Sequence, residues 1–450
     1  MTQETALAIL KSGRNVFLTG SAGTGKTYVL NQFIQHLKDA KVEVAVTAST
    51  GIAATHLKGS TIHSWSGIGV KMQMQPKELI NLKKKKKLRE KFFKTKVLII
   101  DEISMLHKHQ LNSINKILGY CMDSYEAFGG IQIILCGDFF QLPPIGQYGE
   151  KSRDKFSFMS NAWQDANFNI CYLTEQFRQN DSPLNDILAE IRKGHVTSES
   201  RSSLISASDT IFESGIEPTK LYTHNEDVDL INNTHLADLP GISRFFRAKT
   251  SGDKGLIDIL KKSVMAQNSM PLRIGAKVMF VKNNPTKGYI NGTLGEIVEW
   301  SQLGLPVVKT LDNEKVVASP EEWSIDDERG KSLASYKQVP LRLAWAITVH
   351  KSQGMTLDAA ELDLSRTFEP GQGYVALSRL RDLKRLRLLN FNETALKVDG
   401  LAMKADARFQ ELAHELEEAL NLEELKEESK TFIRDSGGRV LTKLPAKDKK

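Results

Sequence analysis

The chain has 450 residues, of which 40% are hydrophobic and 26% are charged, and its formal net charge is +7. At roughly 150 residues per domain this length predicts about two to four domains, and no apolar run reaches the roughly 20 residues that a membrane-spanning helix needs. Three cysteines without any CxxC spacing exclude a disulfide framework and give no support for a cysteine-held metal. Because the N-terminus lacks a basic stretch followed by a long apolar run, we expect no secretory signal and a cytoplasmic protein.

The first third of the chain alternates apolar strands with helices. Helices are predicted over 2–12, with Thr2 as the N-cap, and over 27–38. Near-continuous β-branched runs that alternate with helices indicate a parallel sheet buried on both faces, so the predicted fold class is α/β. The strands of this sheet are predicted, in chain order, at 15–19, 42–47, 97–100 and 131–135.

A second α/β series is predicted in the rest of the chain. Its strands are expected at 169–173, 220–223 and 386–390, and its helices at 183–192 and 225–236. Short strands at 277–281, 295–299 and 306–310, separated by glycine and asparagine turns, predict a small β-barrel inserted into this second domain. An acidic helix over 404–430 is expected to pack on the body. The predicted boundaries are 1–165 for the first domain, 166–285 with 341–435 for the second, 286–340 for the barrel and 436–450 for a disordered basic tail.

The loop after the first strand reads Gly20-Ser21-Ala22-Gly23-Thr24-Gly25-Lys26-Thr27 and opens into the second helix. A strand, a glycine loop of the pattern GxxxxGK[ST] and a helix together predict a phosphate-binding site. The glycines let backbone N–H groups close around phosphates, and the helix N-terminus adds partial positive charge. In such loops the lysine reaches the β- and γ-phosphates and the threonine hydroxyl ligates Mg²⁺. The sequence therefore predicts that the chain binds a nucleoside triphosphate, with Thr27 as a metal ligand.

Two carboxylates, Asp101 and Glu102, follow the third predicted strand directly. A carboxylate at the C-terminal edge of a parallel strand, beside a phosphate loop, suits Mg²⁺, so Asp101 is assigned to the metal. Glu102 is then the candidate for the base, or the orienting group, of an attacking water. The fourth strand ends in a polar loop, where we assign Gln141 to sensing the γ-phosphate and Asp138 to supporting the loop.

Basic residues are concentrated between the second and third predicted strands, in the segment 64–96. From Lys71 to Lys96 there are eleven Lys or Arg and two Glu, which is more positive charge than the net charge of the whole chain. Such a segment is the electrostatic footprint of a polyanionic partner. The alternative is a solvated loop, a common interpretation of a run such as Lys83–Lys87. Trp65 is a candidate for stacking on a base, with a buried core tryptophan as the alternative.

The segment from Cys136 to Pro144 resembles motif III of superfamily-one helicases, and specifically of the PIF (petite integration frequency) and RecD branch. Further segments resemble the motifs of that branch in the right order. They are 47–54 for motif Ia, 59–64 for the DNA-contacting stretch after it, 173–179 for motif IV, 346–356 for motif V and 374–379 for motif VI. With the phosphate loop, the resemblance covers more than three quarters of the chain.

The resemblance implies two RecA-like P-loop NTPase domains, with 64–96 as a small basic insertion (1B-like) in the first and the SH3-like β-barrel as an insertion (2B-like) in the second. It also implies the site residues. The catalytic candidates are Lys26, Asp101, Glu102, Gln141, Arg178 and Arg379. The nucleotide-binding candidates are the loop residues 20–27 together with Gln353, Gly354 and, as the adenine contact, Gln3. The candidates for DNA contacts are Thr47, Ser49, Thr50, Gly51, His63, His350, Lys351 and Ser352, which suit backbone phosphates better than bases.

Two arginines are the candidates for stabilising the transferred phosphate. An arginine aimed at the γ-phosphate is worth roughly 10³–10⁵ in rate. Arg178 and Arg379 both fall in the predicted second domain, so we expect closure of the two domains to deliver them to the nucleotide. For either arginine taken alone, the alternative is a surface ion pair.

The function that the resemblance implies is an ATP-dependent helicase that moves 5′→3′ on single-stranded DNA and unwinds duplex or structured DNA. ATP and Mg²⁺ would be its cofactors, and its partners would be single-stranded DNA and tailed or forked duplexes, with no membrane and a monomer in solution. One alternative is a RecD-like translocase that remodels nucleoprotein without processive unwinding. Another is a nucleotide-gated DNA-binding adaptor with incidental hydrolysis, which strong stimulation of ATP hydrolysis by single-stranded DNA would exclude.

Overall fold

The computed structural model describes residues 1–440 except 58, 70, 148, 177–182, 213–217, 265, 283, 290–291, 311–312, 327–331, 356 and 358. The chain divides into two units by its internal contacts. The first contains Met1–Asp209, Thr367–Arg385 and the described residues from Phe391 on, and the second contains Thr210–Arg366 and Leu386–Asn390. Within these described ranges, no helix has the length and apolar character to cross a membrane.

Strands and helices alternate through the first unit, and strands dominate the second. The strands are β1 (Val16–Gly20), β2 (Val44–Ala48), β3 (Ser60–Thr61), β4 (Val97–Asp101), β5 (Gln132–Cys136), β6 (Asn169–Leu173), β7 (Thr219–Tyr222), β8 (Arg244–Arg247), β9 (Lys249–Gly252), β10 (Ser269–Leu272), β11 (Lys277–Phe280), β12 (Leu294–Trp300), β13 (Pro306–Thr310), β14 (Lys315–Val317), β15 (Glu321–Asp326), β16 (Ser332–Gln338), β17 (Leu341–Leu343), β18 (Ala346–Thr348), β19 (Ala360–Leu364) and β20 (Leu386–Phe391). The helices are α1 (Gln3–Lys11), α2 (Lys26–Asp39), α3 (Gly51–His56), α4 (Ile62–Ser66), α5 (Pro76–Lys84), α6 (Lys86–Lys94), α7 (Lys108–Met122), α8 (Ser152–Lys155), α9 (Asn161–Asp165), α10 (Pro183–Lys193), α11 (Ser198–Ser206), α12 (Asn225–Asp238), α13 (Lys254–Ser263), α14 (Val349–Ser352), α15 (Gln372–Leu377), α16 (Gly400–Glu418) and α17 (Leu422–Asp435).

The first unit is built on a parallel sheet in the order β3-β2-β4-β5-β1-β6. Successive side chains of a strand point to opposite faces. Phe17 and Leu98 accordingly pack in the core shared with α7 and α16, whereas Leu18 and Ile99 pack in the core shared with α1, α2 and α17. Both faces are buried, which explains the continuous apolar runs of these strands and confirms the predicted parallel sheet.

Strand β6 lies elsewhere than the sequence predicted. Residues 169–173 were expected to begin a second domain, but they pair in parallel with β1 at the edge of the first sheet, from Val16–Asn169 to Gly20–Leu173. A short apolar run carries no local signal for the sheet that it joins, so only the tertiary structure reveals its partner. The assignment of 166–285 and 341–435 to a second RecA-like domain stays a prediction. By internal contacts, the first unit includes the chain up to residue 209.

The predicted acidic helix over 404–430 is in fact two helices, α16 and α17. The Asn421 side chain accepts hydrogen bonds from the N–H groups two and three residues later (3.1 and 3.4 Å), which starts a new helix. Phe409 packs in one core of the unit and Leu420 against the other, so the expected packing on the body is confirmed. The predicted disordered tail is wrong for 436–440, because the Arg439 N–H donates to Ala40 O (2.7 Å); the remainder lies outside the described residues.

The basic segment consists of α4, α5 and α6, which contact α7. Trp65 is only 8% exposed and its ring lies 5.1 Å from that of Phe92, centroid to centroid, so Trp65 is a core residue and not an exposed stacking platform. The Lys91 ammonium lies over the Trp65 ring at 5.1 Å, and burial lowers the Lys91 pKa to about 8. The run Lys83–Lys87 spans the junction between α5 and α6.

The second unit contains a sheet in the order β18-β7-β19-β20, in which β18 and β19 pair in parallel with β7. Antiparallel strands in the order β14-β13-β12-β11-β17 form another sheet, whose core includes Val278, Ile297 and Val308. The strands predicted at 277–281, 295–299 and 306–310 are confirmed as β11, β12 and β13, but the sheet also includes β17, which lies beyond the predicted barrel range of 286–340. Antiparallel pairing joins strands that are distant in sequence, so the turn pattern alone did not reveal the full extent of the sheet.

Candidate nucleotide site and nucleic-acid interface

The phosphate loop connects β1 to α2, as predicted. Gly20, Gly23 and Gly25 have φ values of 140°, 91° and 83°, in the region that favours glycine. A Cβ atom at Gly20 would lie 2.6 Å from the Leu173 carbonyl oxygen of the neighbouring strand, so a larger residue has no room there. The loop can therefore turn sharply and direct its backbone N–H groups to one point at the start of α2.

The polar side chains of the loop are partly engaged by the loop itself. The Lys26 ammonium donates to Gly20 O (2.7 Å) and Ser21 O (2.9 Å), and the Thr24 hydroxyl donates to Ser21 O (3.0 Å). Thr27, the second residue of α2, is exposed. Lys26 is thus held beside the loop amides, where an incoming phosphate offers its ammonium a better partner than two carbonyls.

Two residues from outside the loop contact it directly. Gln3, at the start of α1, donates from Nε2 to Thr24 O (3.0 Å), so the predicted adenine contact does lie at the nucleotide loop. Gln176 donates from Nε2 to the Ser21 hydroxyl (2.5 Å). Gln176 is two positions before Arg178, and Arg178 itself lies outside the described residues.

Asp101 and Glu102 lie at the end of β4, as expected. Burial raises the Asp101 pKa to about 7, and the neighbouring Glu102 charge acts in the same direction, whereas a hydrogen bond with Cys136 and the Lys26 charge oppose the shift. Glu102 has a φ of 53°, a left-handed conformation that is unfavourable for a side chain with a Cβ. Ser49 stabilises this turn, because its hydroxyl donates to Glu102 O (2.7 Å) and its N–H donates to Asp101 O (3.1 Å).

The half-buried Asp101 carboxylate fits a cation, since a nearby positive charge would relieve the cost of its ionisation. Across the described ranges, no group of three or more His, Cys, Asp or Glu side chains is arranged to hold a metal ion. A Mg²⁺ at Thr27 and Asp101 would therefore complete its coordination with nucleotide oxygens and water, as is usual for this ion in phosphoryl-transfer sites.

Gln141 and Arg379 belong to the same unit as the phosphate loop. The Gln141 side chain is buried, and its Oε1 atom has no hydrogen-bond partner in the part of the chain that the structure describes. Arg379 is 4% exposed and donates from Nε to Val375 O (2.9 Å) and from Nη2 to Ser378 Oγ (2.9 Å). Burial lowers the Arg379 pKa, and the charge of Glu102 opposes that shift. The expectation that Arg379 comes from the second RecA-like domain stays a prediction; in the division by internal contacts, α15 falls in the first unit.

A buried arginine that the sequence analysis missed, Arg192 of α10, lies beside this group. Its Nη1 donates to Asp138 Oδ2 (2.7 Å) and to the Tyr374 hydroxyl (3.0 Å), and its Nη2 donates to the Tyr172 hydroxyl (2.9 Å) and to Asp406 (3.3 Å). From sequence alone, an arginine in an amphipathic helix is expected on the surface. The local sign of its burial is its position directly after Ile191, a buried residue of α10.

The DNA-contact candidates of the first unit surround the end of β2. Thr47 is buried and its hydroxyl donates to Ile99 O (2.6 Å), so it holds the neighbouring strand, and Ser49 is committed to the Glu102 turn. Thr50 Oγ1 accepts from the Ala53 N–H (3.3 Å) at the start of α3, where Gly51 is exposed. Burial lowers the pKa of His63, which favours its neutral form.

The candidates of the second unit lie on and after α14. Ser352 is buried and its hydroxyl donates to Val349 O (2.8 Å). Burial lowers the Lys351 pKa to about 8, and nearby Arg342 acts in the same direction. His350 is half-buried, and Gln353 is buried beside the exposed Gly354, whose φ is 78°. Thr356, in the same motif, lies outside the described residues.

The parallel sheet, the glycine loop between β1 and α2 and the carboxylates after β4 define a P-loop nucleoside triphosphatase. Residues 2–201 match the family model described as PIF1-like helicase, and residues 256–300 match the model of the Pif1 DNA helicase 2B domain. The sequence is 46% identical to an ATP-dependent DNA helicase Pif1 from Psychrobacter, in an alignment that covers 98% of this chain and 76% of that relative.

Two solved structures are similar to this chain over most of its length. Pif1 helicase from Candida albicans superposes with a TM-score of 0.84 at 35% identity, over 90% of this chain and 98% of that one. Pif1 from Bacteroides, in complex with ADP-AlF3 and single-stranded DNA, superposes with a TM-score of 0.76 at 31% identity, over 91% of this chain and 96% of that one. The chain belongs to the PIF1-like helicases and is an ATP-dependent DNA helicase with two RecA-like domains.

Proposed function

We propose that this helicase moves 5′→3′ along single-stranded DNA and unwinds tailed, forked or structured duplexes, using ATP hydrolysed at the phosphate loop of the first unit. The observation that supports ATP hydrolysis most directly is the buried Oε1 atom of Gln141, which has no hydrogen-bond partner among the described residues and lies in the unit that also holds Lys26, Glu102 and Arg379. A buried amide oxygen without a donor is costly, and an attacking water that donates to it would remove that cost, while the side-chain amino group can donate to the γ-phosphate. The polarity follows from the family resemblance.

Each residue of the site has a proposed role. The loop N–H groups and Lys26 hold the phosphates, and Thr27 and Asp101 hold Mg²⁺, which when bound neutralises phosphate charge. Glu102 orients and deprotonates the attacking water. Gln141 reports the presence of the γ-phosphate, and Arg379 with Arg178 stabilises the charge that develops on it. Gln3, with Gln353 and Gly354, completes the nucleotide contacts.

DNA is proposed to contact the sheet-edge residues of both units. The candidates are Thr47, Ser49, Thr50, Gly51, His63, His350, Lys351 and Ser352. Because the Thr47, Ser49 and Ser352 hydroxyl protons serve internal carbonyls, and the Ser49 N–H serves Asp101 O, these three residues would shape the strand ends that face the DNA. The basic segment 64–96 adds attraction for the DNA backbone. We also propose a monomer in solution and a cytoplasmic location.

Strand displacement on tailed duplexes tests the proposal. Identical duplexes carrying only a 5′ tail or only a 3′ tail are incubated with the protein and ATP, and Lys26→Ala serves as the inactive control. We expect unwinding of the 5′-tailed duplex alone. Unwinding of the 3′-tailed duplex alone would contradict the polarity, and ATP-driven displacement of a bound protein without strand separation would indicate the RecD-like translocase instead.

A further inference from the structure

Arg192 is a largely buried cation in the same unit as the phosphate loop. Its side chain is 11% exposed, and its guanidinium lies 4.2 Å from the centre of the Phe140 ring. Four hydrogen bonds join it to Asp138, Tyr374, Tyr172 and Asp406. One planar side chain therefore fixes four separate parts of the first unit: the loop after β5, helix α15, strand β6 and helix α16.

Two of these four parts carry residues with proposed roles in hydrolysis. Asp138 begins the turn that ends at Gln141, since Asp138 Oδ1 accepts from the Phe140 N–H (3.1 Å) and Asp138 O accepts from the Gln141 N–H (3.0 Å). Tyr374 lies in α15, directly before Val375 and four residues before Ser378, which accept the hydrogen bonds of Arg379. The position of Arg192 thus links the orientation of Gln141 to that of Arg379.

Tyr374 extends the link to the phosphate loop. Its hydroxyl donates to Asp138 Oδ2 (3.1 Å) and accepts from Arg192 Nη1 (3.0 Å) and from the Ala22 N–H of the loop (3.5 Å). The one proton and both lone pairs of the hydroxyl are therefore engaged. The Ala22 bond is the longest of the three, so it is the one that a bound phosphate can most easily replace.

The charges explain why the arrangement is fixed. Arg192 lies between two carboxylates, Asp138 and Asp406, and the Tyr172 hydroxyl donates to Asp406 (3.1 Å). A buried ion pair contributes little net stability but strongly favours one geometry, because any other leaves a charge without a partner. Such a cluster is suited to positioning and is poorly explained by a need for stability alone.

We infer that Arg192 is a positioning residue for ATP hydrolysis. Acting through Asp138 and Tyr374, it holds Gln141, Arg379 and the Ala22 N–H in their places around the γ-phosphate. The inference rests on the roles proposed above for Gln141 and Arg379. Arg192 and Tyr374 do not need to touch the nucleotide, so they are expected to affect the rate of hydrolysis and not the affinity for ATP. A displacement of about 1 Å in a catalytic site costs roughly 100-fold in rate.

Tyr374→Phe is the most informative variant, because it removes one oxygen from a fully buried ring and leaves the core filled. We expect kcat for ATP hydrolysis to fall by about tenfold or more, with KM, single-stranded DNA affinity and melting temperature close to those of the parent. Affinity for ADP with aluminium fluoride should fall by the same factor as kcat, whereas affinity for ADP alone should not change, since only the transition-state arrangement is disturbed.

Tyr172→Phe is the matched control. This tyrosine hydroxyl also contacts Arg192 and Asp406, but within the described part of the chain it has no hydrogen bond to the phosphate loop, so its loss should leave kcat within about threefold of the parent. Arg192→Lys, which keeps the charge and loses the fork, should resemble Tyr374→Phe. The inference is overturned if Tyr374→Phe and Tyr172→Phe behave alike, or if ADP and the fluoride complex lose affinity in parallel. Glu102→Gln separates the two proposals: if it abolishes hydrolysis while Tyr374→Phe does not, only the positioning role fails.

Discussion

Replacing Arg379 by alanine tests the hydrolysis mechanism most directly. If its guanidinium stabilises the transferred phosphate, DNA-stimulated ATP hydrolysis should fall by roughly 10³-fold or more, which corresponds to ~4 kcal/mol of transition-state stabilisation. ATP affinity should change little, because Lys26, Thr27 and the loop amides make the ground-state contacts. Single-stranded DNA affinity without nucleotide should also be unchanged.

The structure adds a stability cost to this prediction. Arg379 is 4% exposed, and its removal takes a donor from Val375 O and Ser378 Oγ. Val375 O keeps the Ser378 hydroxyl as a donor (2.9 Å), but each lost hydrogen bond of a buried group costs about 1 kcal/mol, so thermal unfolding must be measured alongside the rate. Because burial already lowers the pKa of Arg379, loss of the charge offsets part of this cost.

The assay is steady-state ATP hydrolysis with saturating single-stranded DNA, below the melting temperature of the variant. Arg379→Lys should recover little activity, because an ammonium does not reproduce the guanidinium fork. Arg408→Ala, which removes an exposed arginine paired with Glu411 and Glu415 in the same unit, should behave like the parent. Hydrolysis within tenfold of the parent, or DNA affinity that falls together with the rate, would refute the assignment and leave Arg178 as the remaining candidate.

Three further outcomes follow from the site and the charge distribution. Glu102→Gln should keep ATP and DNA binding but lose turnover, and hydrolysis near the parental rate would show that Glu102 is not the base. Replacing Lys83–Lys87 by glutamine should weaken DNA binding and reduce the slope of log affinity against log salt concentration by about 0.7 per lost phosphate contact. Removal of the same number of positive charges from α16 and α17 should change neither quantity. An unchanged slope would mean that Lys83–Lys87 is a solvated run. DNA affinity should fall as the pH rises through about 8, because Lys351, whose pKa burial lowers to about 8, is charged only below that pH. Lys351→Gln should bind more weakly at neutral pH and remove this part of the pH dependence; an unaltered pH profile in that variant would exclude Lys351 as a phosphate contact.

The sequence by itself determined the nucleotide site to a large extent. The phosphate loop is one continuous segment of the chain and the two carboxylates follow β4 directly, because phosphate binding uses consecutive backbone N–H groups and strand ends. The alternation of apolar strands with helices determined the parallel sheet, since burial on both faces leaves a pattern that can be read residue by residue. The capping residues also predicted the start of α1, where the Thr2 side chain accepts from the Thr5 N–H (3.2 Å).

The tertiary structure decided what depends on residues that are distant in sequence. It placed β6 beside β1, buried Trp65 against Phe92, and put Arg379 in the unit of the phosphate loop. It also revealed the cluster around Arg192, whose four partners lie 20 to 214 positions away along the chain. Local propensity cannot predict such contacts. An arginine on a helix can be withdrawn from water only when the folded chain supplies carboxylates as its partners, and here two carboxylates come from distant positions.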